Sequence, residues 1–356
     1  MIEKEYDCIV IGGGQSALAT AYFLRRTNFS YVLLDKNKEP GGSWQHYWES
    51  LTLFSPAKHS SLPGFPMPAS KSKYPTKEEV IQYLTTYEER YKLPVFRGVE
   101  VLSVRKENGV FYLETTQGIF QSKVVVGATG IYEKPSIPAV PGREGFRGIQ
   151  LHSTGYSSPD KFKDKNVLIV GEGNTGAQLL AELSAFSTCF WGVKNKPEFL
   201  PDEVDGAILF DQATAVYYSK QKNTEIDKSK LNLGNIVALP SIQKARSKGV
   251  YNNWHRIDSF SETGVNWKDG SHQEIDAIIW CTGFQYATDY LSELTETDDN
   301  GKIKTDGTQL NAVEGAWLVG FGNWTGFASA TLIGVGRTAR KTVNEIKNYF
   351  SSEESS

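Results

Sequence analysis

The chain has 356 residues, a formal net charge of −3 and 39% hydrophobic residues, which is enough for two domains with their own cores. There is no basic excess typical of nucleic-acid binding and no run of about 18 apolar residues that would suggest a membrane span. Because the N-terminus enters a predicted strand at once, without a signal-peptide pattern, we expect a cytoplasmic protein.

The first predicted strand covers residues 6–11 and runs into the glycine-rich turn GGGQSA at residues 12–17. Glycine lets such a turn approach a pyrophosphate closely, and the helix that follows presents free N–H groups to the phosphates. The next strand, residues 32–34, ends in Asp35. An acid at this place binds an adenosine ribose and repels a 2′-phosphate. The pattern therefore predicts a site for FAD, which lacks that phosphate.

A second turn of the same kind, GEGNTG at residues 171–176, follows a predicted strand at residues 167–170. The strand after it, residues 189–193, ends without an acid and is followed by Lys194. A cation there tolerates the 2′-phosphate of NADPH, although Lys194 also fits an ordinary exposed lysine. An exposed pair of this kind contributes about 0.2–1 kcal/mol, which is a preference of at most about fivefold. We therefore expect NADPH to be used and NADH also to be accepted.

Two nucleotide turns in one chain predict an α/β fold with two Rossmann-like dinucleotide-binding domains (FAD and NAD(P)), the second inserted into the first. The FAD-binding domain would comprise residues 1–157 and 287–356, and the NAD(P)H-binding domain residues 158–286. A helical insertion at about 200–250 would be either a lid over the active site or a surface decoration.

The remaining predicted elements return the chain between these domains. Strands at residues 124–126 and 277–281 each end in Thr-Gly, where small residues let a bound cofactor approach. A strand at residues 317–320 rejoins the FAD domain. The last helix is predicted from about residue 328 to 350, either with its N-terminus towards the flavin or as a plain core helix.

The cysteines indicate packing rather than chemistry. Cys8, Cys189 and Cys281 each lie in an apolar, strand-like run. The sequence has no CxxC, so it lacks a redox-active dithiol. It also has no metal-ligand spacing and no GxSxG motif, so neither a metal centre nor hydrolase chemistry is expected.

Residues 146–156, FRGIQLHSTGY, fit the pattern FxGxxxHxxxY. With the two glycine turns and GGSW at residues 41–44, the chain resembles the flavin-containing monooxygenases of the compact bacterial type over nearly its whole length. Baeyer–Villiger monooxygenases carry a related motif that ends in tryptophan, where this chain has Tyr156. The resemblance also suggests a homodimer.

The resemblance implies a reaction cycle in which NADPH reduces FAD and O₂ then forms a C4a-hydroperoxyflavin. This FAD-dependent monooxygenase would oxygenate soft nucleophiles, sulfides to sulfoxides and amines to N-oxides, with possible weak Baeyer–Villiger activity. The cofactor carries the difficult chemistry, so no acid–base constellation of the protein is required. A flavin-bound redox sensor with little turnover is an alternative function. The second glycine turn argues against it, because a sensor needs no coenzyme domain.

Three residues are candidates for roles in the reaction: Phe54, His152 and Tyr156. We expect His152 to order the linker between the domains, with direct catalysis or plain packing as alternatives. Phe54 aligns where several family members have an asparagine that positions NADP⁺ and the hydroperoxide, unless it is an ordinary core residue. Loss of that polar group would favour leakage, and the alternative function is an NAD(P)H oxidase or flavin reductase that releases hydrogen peroxide.

The predicted cofactor-binding residues belong to the two turns, to the Thr-Gly strand ends and to their neighbours. They are Gly12, Gly14, Gln15, Ser16, Asp35, Lys36, Ser43, Trp44, Val101, Ala128, Thr129, Gly130, Gly171, Gly173, Asn174, Thr175, Gly176, Lys194, Cys281, Thr282 and Gly283.

Overall fold

The computed structural model of the protein describes residues 5–204, 206–209, 211 and 235–353. The chain forms two compact units. Unit 1 comprises Met1–Gln45, Ala57–Lys134 and Phe284–Ser356, and unit 2 comprises His46–Pro56 and Pro135–Gly283. Much of the helical insertion predicted at about 200–250 lies outside the described residues.

The strands and helices follow one another as the glycine turns predict. The strands are β1 (Glu5–Ile11), β2 (Tyr31–Asp35), β3 (Val95–Arg97), β4 (Val101–Glu107), β5 (Val110–Thr115), β6 (Gly118–Gly127), β7 (Ile149–His152), β8 (Asn166–Val170), β9 (Thr188–Gly192), β10 (Trp254–His255), β11 (Ile257–Phe260), β12 (Gly264–Trp267), β13 (His272–Glu274), β14 (Ala277–Trp280), β15 (Thr305–Asp306), β16 (Gln309–Leu310) and β17 (Ala316–Leu318). The α-helices are α1 (Gln15–Leu24), α2 (Lys77–Tyr91), α3 (Asn174–Leu183), α4 (Pro240–Ser247) and α5 (Leu332–Glu353).

Unit 1 is built around a nine-stranded sheet in which β17, β6, β1, β2 and β3 are parallel neighbours. Its central strand β1 carries the fully buried run Cys8-Ile9-Val10, as expected of a parallel strand covered on both faces. Ile11 pairs with Leu34 on one side and with Gly127 on the other. The carboxyl ends of β1, β2 and β6 therefore meet at one edge of the sheet, where nucleotides bind in open α/β folds.

Unit 2 contains a five-stranded parallel sheet in the order β10-β9-β8-β14-β7 and a separate antiparallel sheet of β11, β12 and β13. Trp280 at the end of β14 pairs with Val170 of β8 and with His152 of β7. The carboxyl end of this sheet therefore brings the second glycine turn, the Thr-Gly segment after β14 and His152 to one edge. The predicted α/β class with parallel sheets is confirmed.

The boundaries of the two units differ from the predicted domain boundaries. Strand β7 pairs with β14, so residues 135–157 pack with unit 2 rather than with unit 1. Residues 46–56 also belong to unit 2. Which unit holds FAD and which holds the coenzyme stays a prediction at this point.

The last helix begins at Leu332, four residues later than predicted. Ala328 has φ +54, a left-handed conformation that a helix cannot contain. Thr331 marks the start instead, because its Oγ1 accepts a hydrogen bond from the Gly334 N–H at 3.0 Å. The predicted start was too early because the spacing of apolar residues gives no information on the backbone conformation of Ala328.

Candidate functional site

The first glycine turn joins the end of β1 to the start of α1. Gly12 has φ +118, and a Cβ there would lie 2.7 Å from the carbonyl oxygen of Ala128. A Cβ on Gly42 would lie 2.6 Å from the Cα of Gly14. Only glycine fits these approaches. Gly14 caps α1 without a side-chain hydrogen bond, so the first N–H groups of the helix keep their capacity for an anion.

Side chains from distant segments surround the start of α1. The Gln15 amide accepts a hydrogen bond from Trp44 Nε1 at 3.0 Å and donates one to the carbonyl of Ala330. A Cβ on Gly320 would overlap the hydroxyl of Ser16, which is buried. Ser43 is half-buried in the short 3-10 helix Gly42–His46. The structure therefore brings Gly14, Gln15, Ser16, Ser43 and Trp44 together.

Asp35 ends β2 beside this turn and is only 3% exposed. Its carboxylate forms an ion pair with Arg97, the residue opposite Asp35 in the pairing of β2 with β3. Asp35 Oδ1 also accepts a hydrogen bond from the Asn37 N–H at 3.2 Å. Arg97 also forms an ion pair with Glu88 on α2. Burial raises the pKa of Asp35 and of Glu88, and the Arg97 guanidinium opposes both shifts. Sequence reasoning missed Arg97 and Glu88, since nothing local in the sequence reports the pairing of β2 with β3.

The segment after β6 completes this edge. The Ala128 N–H donates to the Ile11 carbonyl at 2.8 Å, and Thr129 Oγ1 donates to the Ala287 carbonyl at 3.2 Å. Gly130 has φ +71 and open space where a Cβ would stand. Two predicted residues are otherwise engaged. Lys36 forms an ion pair with Glu133, and Val101 opens β4 and packs against the core of unit 1.

The second glycine turn has the same geometry in unit 2. Gly171 has φ +129, and a Cβ there would overlap the carbonyl of Cys281. A Cβ on Gly176 would overlap the carbonyl of Gly171. Gly173 caps α3 without a side-chain hydrogen bond and has open space around its Cα. The turn therefore leaves the first N–H groups of α3 without a side-chain cap, as in unit 1.

The neighbours of this second turn differ in their roles. Asn174 Oδ1 accepts a hydrogen bond from the Val237 N–H at 2.9 Å, and Thr175 is half-buried in the first turn of α3. Lys194 is exposed. Its backbone N–H donates to the carboxylate of Glu172 at 2.6 Å. Sequence reasoning singled out the glycines around Glu172 and passed over this acid.

The Thr-Gly segment after β14 is fixed by the chain entering unit 2. Thr282 Oγ1 donates to the carbonyl of Ser136, and the Ser136 N–H donates to the carbonyl of Gly283 at 2.9 Å. Gly283 has φ +81 and open space where a Cβ would stand. Cys281 is a free thiol whose pKa burial raises. The thiol is therefore not activated as a nucleophile.

His152, at the end of β7, also reaches this segment. It is 6% exposed, and its Nε2 lies 3.1 Å from the Gly283 carbonyl oxygen. Its Nδ1 lies 3.3 Å from the Thr154 N–H, which can only donate. Nδ1 is therefore the acceptor and Nε2 carries the proton. Burial lowers the pKa of His152, so the ring is neutral at physiological pH.

Tyr156, which closes the FxGxxxHxxxY motif, is fully buried against Phe162 with ring centroids 5.7 Å apart. Burial raises the pKa of its phenol, and the nearby Glu182 carboxylate raises it further. The pKa of Glu182 is itself raised by burial, while Ser50 opposes that shift. Tyr156 Oη and Glu182 Oε2 are both buried without a well-formed hydrogen bond among the described residues.

Phe54 lies in unit 2 and is half-buried. Its carbonyl accepts a hydrogen bond from the Gly206 N–H at 2.9 Å. A Cβ on Gly206 would lie 2.6 Å from Phe54 Cδ2, so the phenyl ring packs directly on this glycine. The phenyl ring thus contacts the backbone of the predicted insertion.

Known proteins resemble this chain in sequence and in fold. A family model described as pyridine nucleotide-disulphide oxidoreductase matches residues 9–187. A flavin-containing monooxygenase from Stenotrophomonas maltophilia is 42% identical, with a TM-score of 0.89 over 97% of this chain and 99% of that one. The chain belongs to the flavin-containing monooxygenases. The family predicted from the motifs is therefore confirmed.

More distant relatives agree with this assignment. An uncharacterized oxidoreductase, CzcO, from Bacillus velezensis is 32% identical, and the matched region covers 96% of this monooxygenase and 99% of CzcO. The probable indole-3-pyruvate monooxygenase YUCCA4 of Arabidopsis thaliana is 26% identical over 96% of it. The protein is therefore a flavin-dependent oxidoreductase, and membership implies FAD and NADPH as its cofactors.

Other chemistry finds no support in the parts of the chain that the structure describes. Within residues 5–204, 206–209, 211 and 235–353, no group of His, Cys, Asp or Glu could hold a metal ion. Among the same residues, no helix combines the length and the apolar character that crossing a membrane requires. The sequence of this monooxygenase also lacks the CxxC motif of dithiol oxidoreductases.

Proposed function

We propose that this monooxygenase uses NAD(P)H and O₂ to oxygenate soft nucleophiles, converting sulfides to sulfoxides and amines to N-oxides, with weak Baeyer–Villiger activity as a side reaction. One observation carries the proposal. Each of the two units has the same glycine turn and uncapped helix N-terminus at the carboxyl end of a parallel sheet. An enzyme whose flavin is reduced by a nicotinamide needs two such dinucleotide sites.

The residues of unit 1 fit FAD. The uncapped start of α1 at Gly14 offers N–H groups and the positive end of a helix dipole to a pyrophosphate. Each carboxylate oxygen has two acceptor sites, so Asp35 can accept from a ribose hydroxyl while it holds Arg97 and Asn37. The open space at Gly130 leaves room for a ligand beside the end of β6.

The residues of unit 2 fit the coenzyme. Gly173 opens α3 with free space around it, which a pyrophosphate approaching the backbone requires. Gly283 leaves similar space after β14. Lys194 provides a cation after β9, where the adenosine ribose of a dinucleotide lies in such folds. Each of these features faces the carboxyl edge of the same sheet.

When bound, the flavin activates oxygen and the coenzyme supplies the reducing equivalents. The protein then has to bind, orient and exclude water. His152 acts as a positioning residue, because both ring nitrogens are engaged and protonation of Nδ1 would break its bond from the Thr154 N–H. It holds Gly283 in place. The raised pKa of Tyr156 keeps its phenol protonated, so Tyr156 does not act as a base at neutral pH.

Phe54 affects the fraction of the activated oxygen that is released as hydrogen peroxide instead of being transferred to the substrate. A phenyl ring cannot donate a hydrogen bond, so Phe54 cannot take the role of the asparagine that the family resemblance implies at this position. We therefore propose that hydrogen peroxide is a side product. An NAD(P)H oxidase that releases only peroxide is the second candidate, and the same observation favours it.

The decisive experiment is a stoichiometry on FAD-loaded protein with an aryl methyl sulfide. NADPH consumed, sulfoxide formed and hydrogen peroxide released would be counted in one reaction. We expect sulfoxide to account for most of the NADPH. Peroxide equal to nearly all of it would instead favour the oxidase or a substrate far from thioethers, and an absence of NADPH consumption would refute both functions.

We also propose a cytoplasmic homodimer. The support is the composition of the chain and the resemblance of its motifs to the family. Light scattering coupled to size-exclusion chromatography would test the oligomeric state, with the mass of a monomer of 39.6 kDa as the contradicting result.

A further inference from the structure

Glu172 lies between the first two glycines of the second turn and reaches across to the chain that follows β9. Its Oε2 accepts hydrogen bonds from the backbone N–H of Lys194 at 2.6 Å and of Asn195 at 3.2 Å. Its Oε1 accepts one from Asn195 Nδ2 at 3.3 Å. The Glu172 carboxylate therefore accepts hydrogen bonds from three N–H donors in the residues directly after β9.

These donors stand where a dinucleotide fold distinguishes its two coenzymes. The end of the second strand of such a unit lies beside the adenosine ribose, and an acid there accepts from the 2′-hydroxyl of NADH. A 2′-phosphate, by contrast, needs N–H donors and cations, and it is repelled by a carboxylate. The turn thus supplies the acid that the strand end itself lacks.

We propose that Glu172 is a coenzyme-specificity residue, which disfavours the 2′-phosphate and thereby makes NADH usable beside NADPH. This inference rests on the proposed assignment of unit 2 to the coenzyme. Glu172 acts in two ways. Its charge repels the phosphate, and its oxygens take the two backbone N–H groups that a phosphate would otherwise use.

The neighbouring charges set the balance. The ammonium of Lys194 has no ion-pair partner among the described residues and is exposed, as is Lys196. Lys194 attracts a 2′-phosphate while Glu172, on the neighbouring turn, repels it. Their opposition explains why we expect neither coenzyme to be strongly preferred.

Two substitutions separate the two effects of Glu172. E172Q removes the charge but keeps a carbonyl oxygen for the backbone donors, and E172A also frees those donors. We expect the ratio of kcat/KM for NADPH to that for NADH to rise by up to about fivefold in E172Q and further in E172A, since partly exposed charges interact only moderately. K194A should shift the same ratio in the opposite direction, by at most about fivefold.

A binding measurement tests the inference without turnover. The FAD-loaded protein would be titrated calorimetrically with 5′-AMP and with adenosine 2′,5′-bisphosphate, which differ only in the 2′-phosphate. The ratio of their dissociation constants should move towards the bisphosphate in the order wild type, E172Q, E172A. E262Q is the matched control, because Glu262 is an exposed acid of unit 2 that pairs with Arg147.

Each outcome bears on the inference. An unchanged ratio in both Glu172 variants overturns it and leaves the proposed oxygenation untouched. Absence of binding of either nucleotide to any of the proteins overturns the assignment of unit 2 as well. An equal shift in E262Q would show a general charge effect and also refute the specific role of Glu172. The unfolding midpoint of E172Q, expected to match the wild type, separates selectivity from a disturbed fold.

Discussion

In unit 1 the acid beside the glycine turn is Asp35, which ends β2 and is neutralised by the guanidinium of Arg97. In unit 2 the corresponding acid is Glu172, which belongs to the turn itself and is held by backbone N–H groups. The first acid is buried between two strands and a helix, whereas the second is half-exposed. The two turns share a backbone and differ in how charge is compensated.

This difference separates two ways of keeping an acid at a nucleotide site. A guanidinium fixes the position of Asp35 and compensates its charge, so the site can stay buried. Backbone donors fix Glu172 but carry no net charge, so its negative charge remains available to repel a phosphate. The buried titratable groups of unit 2 differ from Glu172, because burial lowers the pKa of His152 and raises that of Tyr156, so both are uncharged at neutral pH.

The largest effect is expected where the ion pair of unit 1 is broken. Arg97→Ala leaves Asp35 and Glu88 as buried carboxylates without their cation, which should lower the free energy of unfolding by about 3 kcal/mol. It should also weaken FAD binding at least about tenfold, since Asp35 loses its fixed orientation. Denaturant unfolding of the apoprotein and fluorescence titration with FAD measure the two effects separately.

Arg105→Ala is the matched control, because Arg105 pairs with Glu107 on an exposed part of β4. Its stability and FAD affinity should stay near those of the wild type. If Arg97→Ala behaved like this control, Asp35 would not depend on Arg97 and the contrast between the two units would fail.

The glycines of the second turn divide into those the fold needs and those a ligand needs. Gly171→Ala should cost about 2–3 kcal/mol of stability, because the residue has φ +129 and no room beside Cys281. Gly173→Ala should leave stability within about 0.5 kcal/mol, since the site is open and its φ is −95. The same variant should raise the KM for NADPH about tenfold or more, because its methyl would stand where a pyrophosphate approaches. Equal effects of both variants on stability and KM would contradict this division.

The sequence predicts those parts of the fold and of the site whose contacts join residues close together in the chain. Both strand–turn–helix units were predictable because their glycines are local to one motif. Arg97 was not, since it meets Asp35 across 62 residues and only through the pairing of β2 with β3. Glu172 stood inside the motif, but the direction of its carboxylate depends on where the chain passes after β9. The unit boundary near residue 135 was missed for the same reason, because β7 joins a strand far along the chain.

Glu182 tests whether unit 2 tolerates buried charge. Its pKa is raised by burial, so between the unfolded and the folded pKa the native state binds more protons than the unfolded state. The free energy of unfolding therefore falls as pH rises above about 4.5. Glu182→Gln removes this penalty and should stabilise the protein at pH 7 by up to about 1 kcal/mol, with little difference at pH 4. Urea unfolding at the two pH values checks it, and a destabilised variant at pH 7 would show that the carboxylate is favourably paired.

The titration of His152 should have the smallest effect on stability, and its pH dependence should be opposite in sign to that of Glu182. Its folded pKa is lowered, so the unfolded state binds more protons once pH falls below the unfolded value of about 6.5. Stability is fully present above that pH and is lost as pH falls through the folded pKa. His152→Gln keeps a donor for the Gly283 carbonyl and removes the titration, so its unfolding midpoint should fall less steeply between pH 7 and pH 5 than that of the wild type. His272→Gln, at an exposed position on β13, is the matched control and should keep the wild-type slope. Identical slopes in all three proteins would mean that His152 is not held neutral in the folded state.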